Sequence, residues 1–256
     1  GETPLLLPNP WDIGSAVLLA SLGFEALATT SSGYAATLGR LDGSVSRDEA
    51  LGHAATIVDA TELPVSADLE NGFADDPEGV AETVRLAIEA GLAGCSIEDY
   101  SGNDDDPIYD AGPATERVAA AAEAAHAGAV HLVLTARSEN YLHGRHDLAG
   151  TIARLHAFQE AGADVLYAPG VRDIEDIRQL VGALDRPLNV LAMPGAPPVA
   201  ELAAAGVSRV SVGGGFAYVA LGAAVEAGRE LLEDGTYGFW ETGKIGATAA
   251  HSAFEP

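Results

Sequence analysis

The sequence predicts a single (β/α)₈ (TIM) barrel, and three observations carry that expectation. Short apolar runs alternate with longer Ala-rich stretches of helical period eight times along the chain. Several helical stretches stop at a glycine just ahead of the next apolar run, as at Ala90-Gly91, Ala161-Gly162 and Ala205-Gly206, the usual way a helix ends. The length of 256 residues also matches the roughly 250 that one such barrel needs. No Ser/Pro-rich linker divides the chain, so residues 1–256 read as one domain, with 237–256 as a C-terminal arm.

In chain order the strands are expected at Leu5–Leu7, Ala26–Thr29, Val65–Ala67, Gly94–Ile97, Leu132–Thr135, Val165–Tyr167, Leu188–Leu191 and Arg209–Val212. Amphipathic helices are expected between them, for example over Pro77–Ala90, Ala114–Ala127, Leu148–Ala161 and Ile174–Val181. An open doubly wound sheet would usually use fewer strands. The first strand is followed by Pro8-Asn9-Pro10-Trp11-Asp12, which is not a dinucleotide-binding glycine fingerprint.

Composition narrows the function classes. The formal net charge is -25 and Lys244 is the only lysine; nucleic-acid binding, which needs a basic surface, is disfavoured. Such like charge strains a compact fold unless salt screens it, so a high-salt cytoplasm is one expectation; a GC-rich coding bias against lysine is the other. Apolar runs are too short to span a membrane. The start, Gly1-Glu2-Thr3-Pro4-Leu5, lacks the basic and long apolar regions of a secretory signal. Cys95 alone makes neither an internal disulfide nor a thiolate zinc site. The expected compartment is the cytoplasm.

In this fold catalytic groups sit at the C-terminal ends of strands, and the polar residues fall there: Thr30-Ser31-Ser32-Gly33-Tyr34, Asp68-Leu69-Glu70-Asn71-Gly72, Glu98-Asp99 and Arg137-Ser138-Glu139. Asp68 and Glu70 are two apart, so a continuing strand would point both to one face. With Glu98 next door, three carboxylates would repel one another unless a cation or protons intervene. Oxygen ligands without thiolates suit Mg²⁺ or Mn²⁺. Taken singly, each acid reads better as a helix cap or a solvated charge. Arg137 would face an anion such as a carboxylate or enolate oxygen, or simply pair with Glu139 or Glu98. Thr30, Ser31 and Ser32 could cradle a substrate carboxylate. Val212-Gly213-Gly214-Gly215 reads as a tight turn rather than a phosphate loop, since no basic side chain adjoins it.

These residues resemble the isocitrate lyase/phosphoenolpyruvate mutase superfamily over nearly the whole chain. The matching stretches are Asn9-Pro10-Trp11-Asp12 with Ser15-Ala16, Ala28–Ser32, Leu38-Gly39 with Asp42, and Ala67–Phe73. Further along they are Ser96-Ile97-Glu98-Asp99, Thr135-Ala136-Arg137, Ala161–Asp164 and Asn189-Val190-Leu191. The resemblance implies Mg²⁺ at Asp68, supported directly or through water by Asp42, Glu70 and Glu98. It also implies a pyruvate-, oxalate- or glyoxylate-like moiety with its carboxylate on Thr30, Ser31 and Ser32. Arg137 would steady enolate charge, and Asn189 joins the substrate-binding set. A last helix exchanged between subunits of a homodimer or homotetramer is implied as well, and Tyr237–Ala250 could supply it.

The departures are equally specific. Lyases of the superfamily carry a lysine-cysteine-glycine-histidine type loop after strand four, and its phosphonomutases a lysine directly after the Glu-Asp pair. Here that stretch reads Glu98-Asp99-Tyr100-Ser101-Gly102-Asn103-Asp104-Asp105-Asp106-Pro107, and Cys95 within the strand reads as a buried hydrophobe. Neither activity carries over unchanged. The expected function is a Mg²⁺-dependent carbon–carbon lyase or decarboxylase on a small 2-oxo or 2-hydroxy carboxylate, through an enolate stabilised by the metal and Arg137. Tyr100, Tyr34 or a histidine of His143-Gly144-Arg145-His146 are the acid–base candidates. P–C bond chemistry on a phosphonate and a non-catalytic 2-oxo acid-binding protein are the alternatives.

Overall fold

The strands are β1 (Leu5–Leu7), β2 (Leu27–Ala28), β3 (Val65–Asp68), β4 (Gly94–Glu98), β5 (Val133–Arg137), β6 (Val165–Tyr167), β7 (Leu188–Leu191) and β8 (Arg209–Ser211). The helices are α1 (Ile13–Ser21), α2 (Ser31–Thr37), α3 (Arg47–Asp59), α4 (Pro77–Glu89), α5 (Ala111–His126), α6 (Leu148–Glu160), α7 (Ile174–Ala183), α8 (Val199–Ala204), α9 (Gly215–Arg229) and α10 (Trp240–Phe254). This computed structural model describes residues 3–255; Gly1, Glu2 and Pro256, the ends of the expected domain and arm, lie outside the described residues.

All strand pairs are parallel, in the order β1-β8-β7-β6-β5-β4-β3-β2. The sheet is a nearly closed barrel whose seam between β1 and β2 is bridged rather than laddered. The Ala28 N–H donates to the Pro8 carbonyl at 3.0 Å, and the Asn9 amide donates to the Thr29 carbonyl at 2.8 Å. The Asn9 carbonyl oxygen accepts from the Val212 and Gly213 N–H groups, both at 2.9 Å. One buried amide thus ties the ends of β1, β2 and β8. The ladder of the second strand stops at Thr29, whose N–H still donates to the Ser66 carbonyl at 2.9 Å but whose hydroxyl, not its carbonyl, accepts from the Asp68 N–H at 2.9 Å.

The core lies between the barrel wall and the helices, where Leu27, Ile57, Val80, Ile97, Leu134, Phe158, Leu166 and Ile177 are buried. Helix starts follow local chemistry. Asp76 caps α4 by accepting from the Gly79 N–H at 2.9 Å, with Pro77 in the first turn. Ser46 and Glu49 close a capping box on α3. Gly94 starts β4 because a Cβ there would stand 2.9 Å from the Val133 carbonyl oxygen. The last two helices differ from the rest. On α9 only Ala217 is buried, and Val219 on α9 and Ile245 on α10 are 71% and 72% exposed. Phe254 of α10 reaches Gly14 of α1, and Lys244 pairs with Glu241 at 3.0 Å. Among the described residues no helix is long and apolar enough to cross a membrane.

Candidate active site

The parallel register sets residues from neighbouring strands at one level: Asp68 beside Ser96, Glu98 beside Arg137, and Arg137 beside Tyr167. At the barrel mouth the Arg137 guanidinium bonds three carboxylates. Nη1 meets Asp68 Oδ1 at 2.8 Å, Nη2 meets Glu98 Oε2 at 3.0 Å, and Nε meets Glu139 Oε1 at 2.9 Å. Nε and Nη1 donate hydrogen bonds to Glu139 and Asp68 while Nη2 meets Glu98 as an ion pair, so N–H groups remain uncommitted on both terminal nitrogens. Burial disfavours its charge, but Glu139, Glu98 and Asp68 outweigh that and hold Arg137 firmly protonated. Asp68 is fixed from its other side by Ser31, whose N–H and hydroxyl donate to Oδ2 at 3.2 and 3.0 Å.

Glu70 arrives by a different path from the one the two-residue spacing suggested. The third strand ends at Asp68, Leu69 is buried, and Glu70 and Phe73 take left-handed backbone angles, φ 47° and 56°, a conformation that costs a non-glycine residue energy and clusters at functional sites. The turn still brings Glu70 to the outer cavity with Asp42, Glu98, Glu139 and Arg137. Burial, then Asp68 and Asp42, pushes Glu70 up to about 7. Burial likewise raises Glu98, despite Arg137, and Asp42. Five acidic residues thus share one arginine, a surplus of negative charge that calls for protons or a divalent cation. That donor set fits Mg²⁺ or Mn²⁺.

The acids are not pre-gathered into one ligand shell. Among the described residues the only histidine, cysteine and carboxylate trio with ligand atoms all within 4.8 Å is His126, His131 and Asp164. It lies at the opposite end, where β5 and β6 begin. There the two imidazoles stack at 4.2 Å, each on its own oxygen of Asp164, at 3.0 and 3.2 Å.

The remaining candidates divide. Thr30-Ser31-Ser32 is not a loop but the start of α2: Thr30 caps the helix through the Gly33 N–H at 3.3 Å. With Ser31 committed to Asp68, Ser32 is the hydroxyl of the run without a backbone or carboxylate partner, 3.2 Å from Thr30 Oγ1. Asn189 lines the inner cavity with its oxygen accepting from Arg209 at 2.9 Å and its nitrogen donating to Ser211 at 3.0 Å. Tyr100 lines the outer cavity, but its hydroxyl donates to Asp104 at 2.9 Å and its ring stacks on His143 at 4.4 Å. His146 instead packs on Tyr141, and Tyr34 stacks on His53 at 3.9 Å. Burial pushes the Cys95 thiol up to about 12, so it stays a protonated core residue.

Reasoning from strand ends named Glu139 and Asp99 without giving them a role in the site, and passed over Tyr167 and Arg209. Glu139 is 3% exposed and its N–H donates to Asp99 Oδ1 at 2.8 Å. Asp99 sits in turn 3.4 Å from Arg154, and burial pushes it up to about 6. A signal was present, since Glu98-Asp99 and Arg137–Glu139 leave adjacent strands in register.

A family model described as phosphoenolpyruvate phosphomutase matches residues 1–232. The chain belongs to that family. With it comes the wider isocitrate lyase/phosphoenolpyruvate mutase superfamily, whose members include 2-methylisocitrate lyase, oxaloacetate acetylhydrolase and phosphoenolpyruvate phosphomutase. A crystal structure of a candidate lyase/mutase from Burkholderia cenocepacia J2315 is 54% identical, with a TM-score of 0.92, over 94% of this chain and 87% of that one. An uncharacterized protein of Mycobacterium tuberculosis is 31% identical over 90% of this chain and 85% of its own. The oxaloacetate decarboxylase of Chromohalobacter salexigens is 30% identical over 88% of this chain and 78% of its own. Superfamily members are lyases or mutases.

The segment after β4 is held by its own residues. Tyr100 bridges to Ile108 in antiparallel fashion, and the Ser101 hydroxyl donates to the Asp106 carbonyl at 2.6 Å. The segment folds on itself through acids and hydroxyls, and supplies no lysine or cysteine to the cavity.

Proposed function

We propose that the protein is a divalent-metal-dependent carbon–carbon lyase or decarboxylase of a small 2-oxo or 2-hydroxy carboxylate, with decarboxylation of a 2-oxo diacid the reaction its residues suit best. The observation that carries this is Arg137, buried at the mouth among Asp68, Glu98 and Glu139 with N–H groups on its terminal nitrogens uncommitted. Asp68, with Asp42, Glu70 and Glu98, would hold Mg²⁺ or Mn²⁺, which when bound supplies a Lewis acid for the 2-oxo oxygen. Ser31 orients Asp68. Ser32 offers a hydroxyl to the substrate carboxylate. When the C–C bond to the departing carboxylate breaks, its electron pair moves onto the 2-oxo group, and the spare N–H groups of Arg137 stabilise the negative charge that develops. Loss of CO₂ needs no base, which agrees with Tyr100 being turned to Asp104; a retro-aldol cleavage would need one for the hydroxyl proton.

The exposed apolar residues of α9 and α10 support a homo-oligomer, dimer or tetramer, in which these helices are covered. The test of activity is pyruvate release from oxaloacetate by the pure protein with Mg²⁺. EDTA should abolish it, and Asp68→Ala should lower kcat/KM by about 100-fold or more. Phosphonopyruvate turnover in place of oxaloacetate turnover would assign the protein to P–C chemistry, and tight 2-oxo acid binding without turnover would make it a binding homologue.

A further inference from the structure

The barrel interior holds a second guanidinium whose charge, unlike that of Arg137, is unmatched. Arg209 opens β8 and points inward: its Nε donates to Asn189 Oδ1 at 2.9 Å and its Nη2 to Thr135 Oγ1 at 2.8 Å, across the barrel on β5. Both partners are neutral, and among the described residues Arg209 forms no ion pair. Of the other enclosed arginines, Arg137 has three carboxylates and Arg154 has Asp99; Arg117 also lacks an ion pair, but it donates to three backbone carbonyls, those of Asn71, Ala74 and Asp75, and borders neither cavity of the mouth. Tyr167 is no anionic partner, since burial pushes its hydroxyl up to about 12. Burial draws Arg209 down to about 10, so it stays a cation at neutral pH, and an enclosed cation without a counter-charge is costly.

Arg209 borders the inner cavity of about 160 Å³, together with Ser66, Ser96, Asn189 and Ser211. The depth of Arg209 is given by its contact with Thr135, which precedes Arg137 by two residues on one face of β5, so the guanidinium meets β5 about 7 Å below Arg137.

We propose that Arg209 binds the second carboxylate of a short dicarboxylate, seated along the barrel axis with one acid group at the mouth and the other on the floor. This rests on the lyase reading and sharpens it, making Arg209 the residue that selects diacids over monoacids. Asn189 is then a positioning residue that holds the guanidinium through its Nε.

Malate and 2-hydroxybutyrate test this, because they differ by one carboxylate in place of a methyl group. By calorimetry with Mg²⁺ present, wild type should bind malate about 10- to 100-fold more tightly, the range of a charge-assisted hydrogen bond. Arg209→Gln should bring the ratio close to one while 2-hydroxybutyrate affinity changes less than about threefold, and Arg209→Lys should retain part of the preference. Three results would overturn the assignment: equal binding of the two acids by wild type, an unchanged ratio in Arg209→Gln, or chloride-dependent stabilisation that Arg209→Gln removes without any preference for malate. Failure of the lyase reading is separate, and shows as absent turnover with the malate preference intact.

Discussion

The two sides of the barrel solve the problem of enclosed polarity in opposite ways. From β3 to β5 the mouth is ionic: Asp68, Glu98 and Glu139 surround one arginine, with Asp42 and Glu70 close by. From β7 round to β1 the interior is built of amides and hydroxyls, with Asn9, Asn189 and Ser211 satisfying backbone and side-chain partners, and Arg209 as its one charge. The first side carries surplus negative charge and calls for a cation. The second carries one surplus positive charge and calls for an anion. A ligand that is itself anionic and gathers a metal ion at one end meets both demands.

The contrast breaks most visibly at Arg137. Arg137→Met leaves three enclosed carboxylates facing one another, which should cost about 3–5 kcal/mol and lower the melting temperature by about 6–20 °C in a chain of this size. A melt within two or three degrees of wild type would mean that protons already neutralise that side. Asn9→Ala probes the neutral side. It leaves the Val212 and Gly213 N–H groups and the Thr29 carbonyl without their partner, and should cost about 1–3 kcal/mol with no dependence on salt; a salt-sensitive loss would show that charge matters there too.

The smallest effect is a pH dependence. A carboxyl raised by burial and like charge, as Glu70 is to about 7, binds its proton more tightly in the folded chain than in the unfolded one. Its contribution to stability is therefore fully present below the ordinary glutamate range and is lost as pH climbs to about 7. Mg²⁺ competes with that proton, so metal affinity should rise over the same interval, and Glu70→Gln should flatten both curves. Titrations at pH 5.5, 6.5 and 7.5 would check this, and a wild-type Mg²⁺ affinity independent of pH would remove Glu70 from the metal's surroundings.

How far this could be read from residues depended on range. Strand and helix positions come from local periodicity and stop signals, so β1, β6 and β7 fall where expected and β3 and β5 reach one and two residues further, to Asp68 and Arg137. Strand-end placement put Asp68, Glu98 and Arg137 at one rim and offered Glu98 and Glu139 as partners of Arg137, but the bond from Arg137 to Asp68 was not foreseen. Three features were out of reach because they depend on long-range geometry. The left-handed turn at Glu70 arises from Leu69 burying itself in the core. Ser31 turned out to hold Asp68 rather than stand free, because Thr30 starts a helix there. Arg209 was passed over because it lies at the first residue of a strand, the end of the barrel where polar residues are usually read as stabilising the fold. Its partner Thr135 is 74 positions away in sequence.

Lys244 gives the molecule a practical handle. It carries the chain's one lysine amine, 68% exposed on α10, so an amine-reactive fluorophore applied at alkaline pH, with the terminal α-amine blocked, marks a single known side chain on the helix expected to cross between subunits. Mixing donor- and acceptor-labelled protein would turn subunit exchange into an energy-transfer signal, with no substitution introduced anywhere in the barrel.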